Sequence, residues 1–308
     1  MSGNARRIAV VGSINRDTIC TSDGTRTESY GGILYSIAAL AQIGSATIFP
    51  VCNVGKDVED AVRRLLGSWG SVKLDGVRFV PDRNPHCFLT YDSHNRKQET
   101  LLGGVPPLSI GRLRPFLDCD AVCFNFITGM ELDLQTLRSF RRAARGLVLM
   151  DVHSLTLGID RRRRRFFRLP PCWEAWLGCV DIVQMNEREA GLLAGASLHG
   201  GAATERFGEK VLALGPDTLL ITRGEHGADA VAGNPRGGIE VQRYPARAAD
   251  VPVDETGCGD AFLMGFAWSF LETGSIDEAS RFANRVAGIT CSLRGIEQMA
   301  RIGDYLEQ

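Results

Sequence analysis

The sequence predicts an α/β fold with a mostly parallel sheet, on three observations. Strand-like apolar runs alternate with helical runs from Arg7 onward, the βαβ rhythm of right-handed crossovers. The first run, Ile8-Ala9-Val10-Val11, is uninterrupted and ends in Gly12-Ser13, as a strand buried on both faces does where it delivers its carboxyl end to a site. Towards the other end, Asp254-Glu255-Thr256-Gly257-Cys258-Gly259-Asp260 leads straight into the apolar stretch 261–271, a glycine-rich turn opening a buried helix.

Composition sets the limits. The 308 residues, 44% hydrophobic and 23% charged, can bury the core of one large domain or two small ones. A formal net charge of −1 argues against general nucleic-acid binding, which needs a concentrated positive surface. The basic run 161–165, with Arg168 beyond it, reads as a solvated face. No stretch approaches the ~18 apolar residues of a membrane span, and the N-terminus enters a strand rather than a signal core, so a cytoplasmic protein with no membrane partner is expected. The nine cysteines are scattered, without a C-x-x-C pair, and read as reduced, mostly buried small residues.

In chain order, the strand at 7–11 points Asn15 and Asp17 at a ligand edge. A carboxylate and an amide there suit a substrate with several hydroxyls; an Asx turn is the plainer alternative. Gly31-Gly32 opens an apolar helix that Gly44 ends, with Ser36 one turn in. A strand at 46–51, a turn at 53–57 and a helix at 58–66 continue the alternation. Between 74 and 107 short runs at 77–80, 87–92 and 98–102, broken by Pro81 and Pro85, read as antiparallel strands outside the parallel core, suited to a lid or to a subunit edge. The α/β rhythm resumes with strands at 121–127 and 147–151 around a helix at 132–145.

The strand at 180–185 ends on Asn186-Glu187-Arg188-Glu189. Asn186 and Glu189 share a helical face and suit either a hydrated cation or an Asn cap with an acidic first turn. The strand at 218–222 enters Arg223-Gly224-Glu225-His226-Gly227, a bend that lets a nucleotide pass close to the backbone, with His226 an exposed turn residue. A helical segment at 276–291 carries Asn284 and is followed by Gly295. The glycine turn before residue 261 is an anion site, because free N–H groups and the positive end of the helix meet there. Asp260 within it fits two roles, helix cap or reactive carboxylate.

Four of these motifs, in this order, resemble the ribokinase-like (PfkB) sugar kinase family over nearly the whole chain. Asp254-x-Thr256-Gly257-Cys258-Gly259-Asp260 is similar to its C-terminal D-T-x-G-A-G-D signature, and Gly12-Ser13-Ile14-Asn15-x-Asp17 to its first-strand pattern. Asn186-x-x-Glu189 matches its N-x-x-E motif, and Thr222-x-Gly224-x-x-Gly227 its nucleotide-side T-x-G-x-x-G. The resemblance implies a single domain over 1–308: a three-layer αβα sandwich with a small antiparallel β lid, in segments near 16–31 and 77–106. It implies ATP-dependent phosphorylation of a hydroxyl on a sugar or sugar derivative, with Mg²⁺ and, in many relatives, K⁺.

Carried over by position, Asp260 is the expected base and the N–H groups of Gly257, Cys258 and Gly259 the anion hole. Asn186 and Glu189 are expected to organise Mg²⁺ through water, and Asn186, Thr222, Gly224, Gly227 and Asn284 to lie along the nucleotide. Asn15, Asp17, Gly31, Gly32 and Ser36 are expected to hold the acceptor, and Asp254, Thr256 and Gly295 to offer oxygens to a monovalent cation. Kinship also suggests a homodimer through the lid.

The chain departs from the family at several points. Cys258 stands where alanine is usual, Ser36 where asparagine is usual, and Asp151-Val152-His153-Ser154 replaces a D-P-N-x-R-like turn. Only 13 residues separate Asp17 from Gly31, which favours a small lid. A nucleoside kinase is the alternative within the family, requiring lid aromatics among Tyr30, Tyr35, Phe88 and Tyr91 to stack on a base. A catalytically weak sugar- or nucleotide-binding regulator is the alternative outside enzymes. A dinucleotide-dependent oxidoreductase is excluded, because the first strand lacks G-x-G-x-x-G.

Overall fold

The computed structural model describes residues 5–94, 96–234, 237–246 and 253–307. Residues 1–4 and Asn95, the latter within the expected lid segment, lie outside them. The first half contributes β1 (Arg6–Val11), β2 (Ile14–Cys20), β3 (Arg26–Gly32), β4 (Ala46–Gly55), β5 (Val77–Val80), β6 (His86–Tyr91), β7 (Lys97–Leu102) and β8 (Ala121–Asn125). The second half contributes β9 (Leu147–Asp151), β10 (Leu157–Ile159), β11 (Arg165–Phe167), β12 (Ile182–Asn186), β13 (Thr218–Thr222), β14 (Ala228–Gly233) and β15 (Ile239–Tyr244).

The large sheet runs β15-β14-β13-β12-β9-β8-β1-β4-β5. Pairing is parallel from β5 to β13, and β14 and β15 extend the sheet antiparallel. The parallel strands are mostly apolar because helices cover both faces. One buried core joins Ile8, Val10 and Ile48 to the helices Leu34–Ile43, Cys258–Thr273 and Ile276–Cys291. The other joins Ala9, Val11 and Phe124 to the helices Leu134–Arg141, Glu187–Ala194 and Gly201–Leu212. This is the expected three-layer sandwich. Among the described residues no helix is long and apolar enough to cross a membrane. All nine cysteines are free, and five of them are buried.

A second sheet, ordered β3-β2-β6-β7, is built from the segments expected as a lid. Its outer pairs are antiparallel and its central pair, β2 with β6, is parallel. The register places Asp17 beside Cys87 and Cys87 beside Leu101, with Leu89 beside Glu99 two residues along. By the two-residue alternation of strands, Asn15, Asp17, Gly31, Cys87, Glu99 and Leu101 share one lid face. Arg16, Tyr30, His86 and Phe88 share the other, where His86 and Phe88 stack with ring centroids 4.0 Å apart.

Three local expectations change. The run 77–80 pairs in parallel with β4, so it belongs to the large sheet and the second lid segment reduces to β6 and β7. The turn expected at 53–57 is instead strand as far as Gly55, followed by a single tight turn at Lys56–Val58. Two of its polar groups are paired in place, Asn53 Nδ2 donating to the Pro106 carbonyl and the Gly55 N–H to Asn84 Oδ1, so the strand continues despite its composition. The basic run is also not wholly solvated. Arg165 begins β11 with its side chain 2% exposed, its nearest carboxylate oxygen being Glu99 Oε1 at 4.0 Å.

Candidate functional site

Because β1, β8, β9, β12 and β13 run parallel, their carboxyl ends collect at one edge. They bring Gly12, Asn125, Asp151, Asn186 and Thr222 together there. The glycine turn at 257–259 meets that edge. Gly257 sits at φ +82°, and a Cβ on it would fall 2.2 Å from Tyr35 Cδ1, so only glycine closes the turn here. The helix Cys258–Thr273 starts at once and has no side-chain cap.

Asp260 is therefore not a cap. Its Oδ1 accepts from Ser36 Oγ at 2.9 Å and from Asn125 Nδ2 at 2.5 Å, while Oδ2 takes no hydrogen bond within the described residues. Burial holds the carboxyl above the ordinary range, against the opposing pull of His153, Ser36 and Asn125. Ser36 was expected on the acceptor; its hydroxyl is spent on Asp260 instead. Of the three N–H groups expected in the anion hole, Cys258 donates to the Glu255 carbonyl at 3.2 Å, so it is withdrawn. The N–H groups of Gly257 and Gly259 have no partner within the described residues.

Around this turn lies a charged cluster. Asn186 and Glu189 form a full capping box: Glu189 N–H donates to Asn186 Oδ1 at 2.9 Å and Asn186 N–H to Glu189 Oε2 at 2.8 Å. Asn186 Nδ2 also donates to Glu189 Oε1 at 2.8 Å, leaving the buried carboxylate 3.7 Å from His153 Nδ1. Desolvation works against the His153 charge, but Glu189, Asp151 and Asp260 outweigh it and push the imidazole up to about 9. Asp151 is held high, first by burial and then by the carboxylates of Glu189 and Asp260, with His153 opposing. Gln184 Nε2 ties this cluster to the turn, donating to the Gly259 carbonyl at 3.0 Å and to Asp151 Oδ2 at 3.3 Å.

On the lid side, Asp17 faces the Gly31 backbone so closely that a Cβ at Gly31 would stand 2.3 Å from Asp17 Oδ2. Gly32, at φ +69°, lies against the Ser13 carbonyl in the same way. Burial, with Glu99 adding to it, pushes Asp17 up to about 7. A cavity of about 290 Å³ opens beside this region between Gly12, Asn53, Leu101, Val105 and Glu131. Four buried amide oxygens around the site and its cavity have no partner among the described residues: Asn15 Oδ1, Asn53 Oδ1, Asn125 Oδ1 and Gln184 Oε1. Unpaired acceptors at this depth suit a ligand that brings O–H donors.

The residues expected along the nucleotide divide into two groups. Thr222 ends β13 at the shared edge, and Gly224, at φ +56°, has open space where a side chain would be. Gly227 instead abuts the β15 end, since a Cβ there would lie 2.0 Å from the Tyr244 carbonyl oxygen. Asn284 donates to that carbonyl at 3.0 Å and to Pro245 O at 3.4 Å, so both residues hold the backbone of this wall. For a divalent cation the donor set is two carboxylates and an amide, and the described residues contain no cluster that closes around a bare ion. The crowded carboxyls of Glu189 and Asp151 beside Asn186 do fit a cation that keeps its waters, as Mg²⁺ does. Asp254 Oδ1 accepts from Thr256 N–H at 2.9 Å, and Gly295 opens the short helix Gly295–Gln298.

Asn125, Gln184, Glu131 and Glu99 escaped the sequence reading. The available signal was a lone polar residue at the end of, or inside, an otherwise apolar strand, as in Ala121-Val122-Cys123-Phe124-Asn125.

Residues 159–301 match the model of the pfkB family carbohydrate kinases. A cytidine kinase of Thermococcus kodakarensis is 26% identical over 277 residues, covering 89% of this chain and 92% of its own. A fructokinase of Klebsiella pneumoniae is 24% identical over 298 residues, 91% and 90% of the two chains. An Arabidopsis thaliana ribokinase, solved with ribose and ATP, superposes with a TM-score of 0.80 at 21% identity over 98% of each chain. Its motifs stand in family order, kinases align with it along nine-tenths of its length and a ribokinase shares its fold, so the chain is similar to the PfkB carbohydrate kinases.

Proposed function

We propose that this protein moves the γ-phosphoryl group of ATP to a hydroxyl of a sugar or sugar derivative, with Asp260 as the base. The observation that carries this reading is the state of Asp260: one oxygen held by two donors, the other without a partner among the described residues, at the first turn of a helix whose N-terminus favours an anion. The acceptor oxygen bonds the γ-phosphorus as the bond to ADP breaks, and the hydroxyl proton passes to Asp260 Oδ2. In a loose transition state little proton transfer is needed before the new bond forms, so a carboxylate suffices. The N–H groups of Gly257 and Gly259 face the charge that builds on the phosphoryl oxygens. Bound Mg²⁺ neutralises phosphate charge; Glu189 and Asn186 would hold its waters, with Asp151 beside them. Thr222 and Gly224 would line the nucleotide, and the wall kept in place by Gly227 and Asn284 would close its far side.

The acceptor would lie against Asn15, Asp17, Gly31 and Gly32. Unpaired amide oxygens favour a polyhydroxylated molecule over a flat base; of the aromatics a nucleoside would need, Tyr30 and Phe88 occupy the sheet face opposite Asp17, while Tyr91 shares the Asp17 face and Tyr35 packs against Gly31. An ADP-release screen over hexoses, pentoses, amino sugars, polyols and nucleosides tests the reading. Turnover of a sugar is expected; turnover of nucleosides alone would move the assignment to the nucleoside branch, and none at all would favour a binding regulator. Replacing K⁺ by choline tests Asp254, Thr256 and Gly295 as a monovalent-cation site. Light scattering at micromolar concentration tests pairing through the lid, which a monomer would refute.

A further inference from the structure

The sequence lacks the helix-borne asparagine expected after the glycine pair, having Ser36 instead. An amide nevertheless reaches Ser36 and Asp260 from another element. Asn125 closes β8, is 1% exposed, and donates Nδ2 to Asp260 Oδ1 at 2.5 Å and to Ser36 Oγ at 3.3 Å. Ser36 in turn donates to the same Oδ1. The three residues are far apart in sequence, yet Asn125 is fixed by the Asn125–Asp151 step of the β8–β9 ladder and Ser36 by a helix buried along most of its length.

We infer that Asn125 is the positioning residue of this site: with Ser36 it loads Asp260 Oδ1 and so aims Oδ2 at the acceptor hydroxyl. This deepens the reading of Asp260 as base and rests on it. Two donors on one oxygen remove rotational freedom from the carboxylate and favour its charged form. With an apolar residue at 125, Ser36 alone would hold Oδ1 and the carboxylate would swing. Misplacement by about 1 Å costs about 10²-fold in rate.

The other groups facing Asp260 are Tyr35 from the helix Leu34–Ile43 and Asp151 and His153 from the β9 end. All three stay in place in the test variants. Asn125→Leu keeps approximate size and removes the donor; Asn125→Asp removes it and adds a like charge.

The test has two arms. Infrared titration of the Asp260 carboxyl, identified by its loss in Asp260→Asn, needs no acceptor. The expected midpoint rises in Asn125→Leu and rises further in Asn125→Asp, with melting curves showing that both variants fold. With an acceptor from the ADP-release screen, kcat is expected to fall about 10²-fold while KM for ATP holds. An unchanged Asp260 midpoint in both variants overturns the inference, as does a loss confined to KM. If Asn125→Leu fails to fold, Asn125→Asp and the milder Asn125→Ser decide by the same titration. Should Asp260→Asn itself retain normal turnover, the base assignment fails, but a shifted Asp260 midpoint still establishes the Asn125 contact.

Discussion

Asp260→Asn is the most direct perturbation of the proposed chemistry. The amide keeps an oxygen where Ser36 and Asn125 donate, so the local network and the glycine turn before it are preserved. What is lost is the ability of the second oxygen to take a proton. A positioned acid or base contributes about 10²–10⁴-fold to rate, or about 3–5 kcal/mol of barrier, and the fall is expected in kcat rather than in KM for ATP. Stability moves the other way. Burial raises the Asp260 pKa, so the folded protein holds this proton more tightly than the unfolded chain, and ionisation above the unfolded value near 3.9 opposes folding. A neutral amide removes that opposition, so at pH 8 the variant should melt at the same temperature as wild type or higher. The wild-type kcat/KM should climb with pH through a midpoint above the ordinary carboxylate range. The assays are coupled ADP release, calorimetric ATP binding and thermal melting on the same preparations. Turnover within a few-fold of wild type, with an unchanged pH profile, would refute the reasoning.

Other outcomes follow from the same geometry. Asp17 is pushed up to about 7, so its contribution falls as pH rises from about 4 to 7, and Asp17→Asn should flatten that part of a melting-temperature profile while lowering kcat/KM for the acceptor. A profile of unchanged slope would show that Asp17 ionises normally. Gly257→Ala forces a non-glycine residue to φ +82° against the Tyr35 ring; a loss of at least ~1–2 kcal/mol in a urea titration is expected from the backbone alone, and wild-type stability would mean that the turn relaxes freely. Arg165→Met removes a buried guanidinium whose Nε and Nη2 have no hydrogen-bond partner among the described residues, so unchanged or improved stability is expected. A drop beyond about 3 kcal/mol in the same titration would show that Arg165 is well paired with Glu99 in solution.

Much of the architecture was legible without coordinates because its signals are local. Uninterrupted apolar runs mark strands covered on both faces, and a glycine turn that leads into an apolar run marks a helix start. The capping pair Asn186 and Glu189 was readable for the same reason, since both members lie within one helical turn. The run 77–80 was misplaced because alternation identifies a strand but not its neighbour; only the parallel ladder with β4 decides that. Arg165 was hidden inside a basic run whose other members obey the usual preference of charge for water.

By itself, then, the sequence determined an α/β fold, a glycine turn with an acidic residue at its end, and the order of four motifs along the chain. Whether Asp260 caps its helix or stands as a reactive carboxylate was left balanced by local chemistry, because Asp serves both ends equally well. Tertiary structure bears on it by bringing Ser36 and Asn125, 224 and 135 positions away in sequence, onto one oxygen of that carboxylate, in a helix that Asp260 does not cap. The physical reason is that hydrogen-bond partners are assigned by where parallel strands and buried helices end in space, and no periodicity along the chain records that distance.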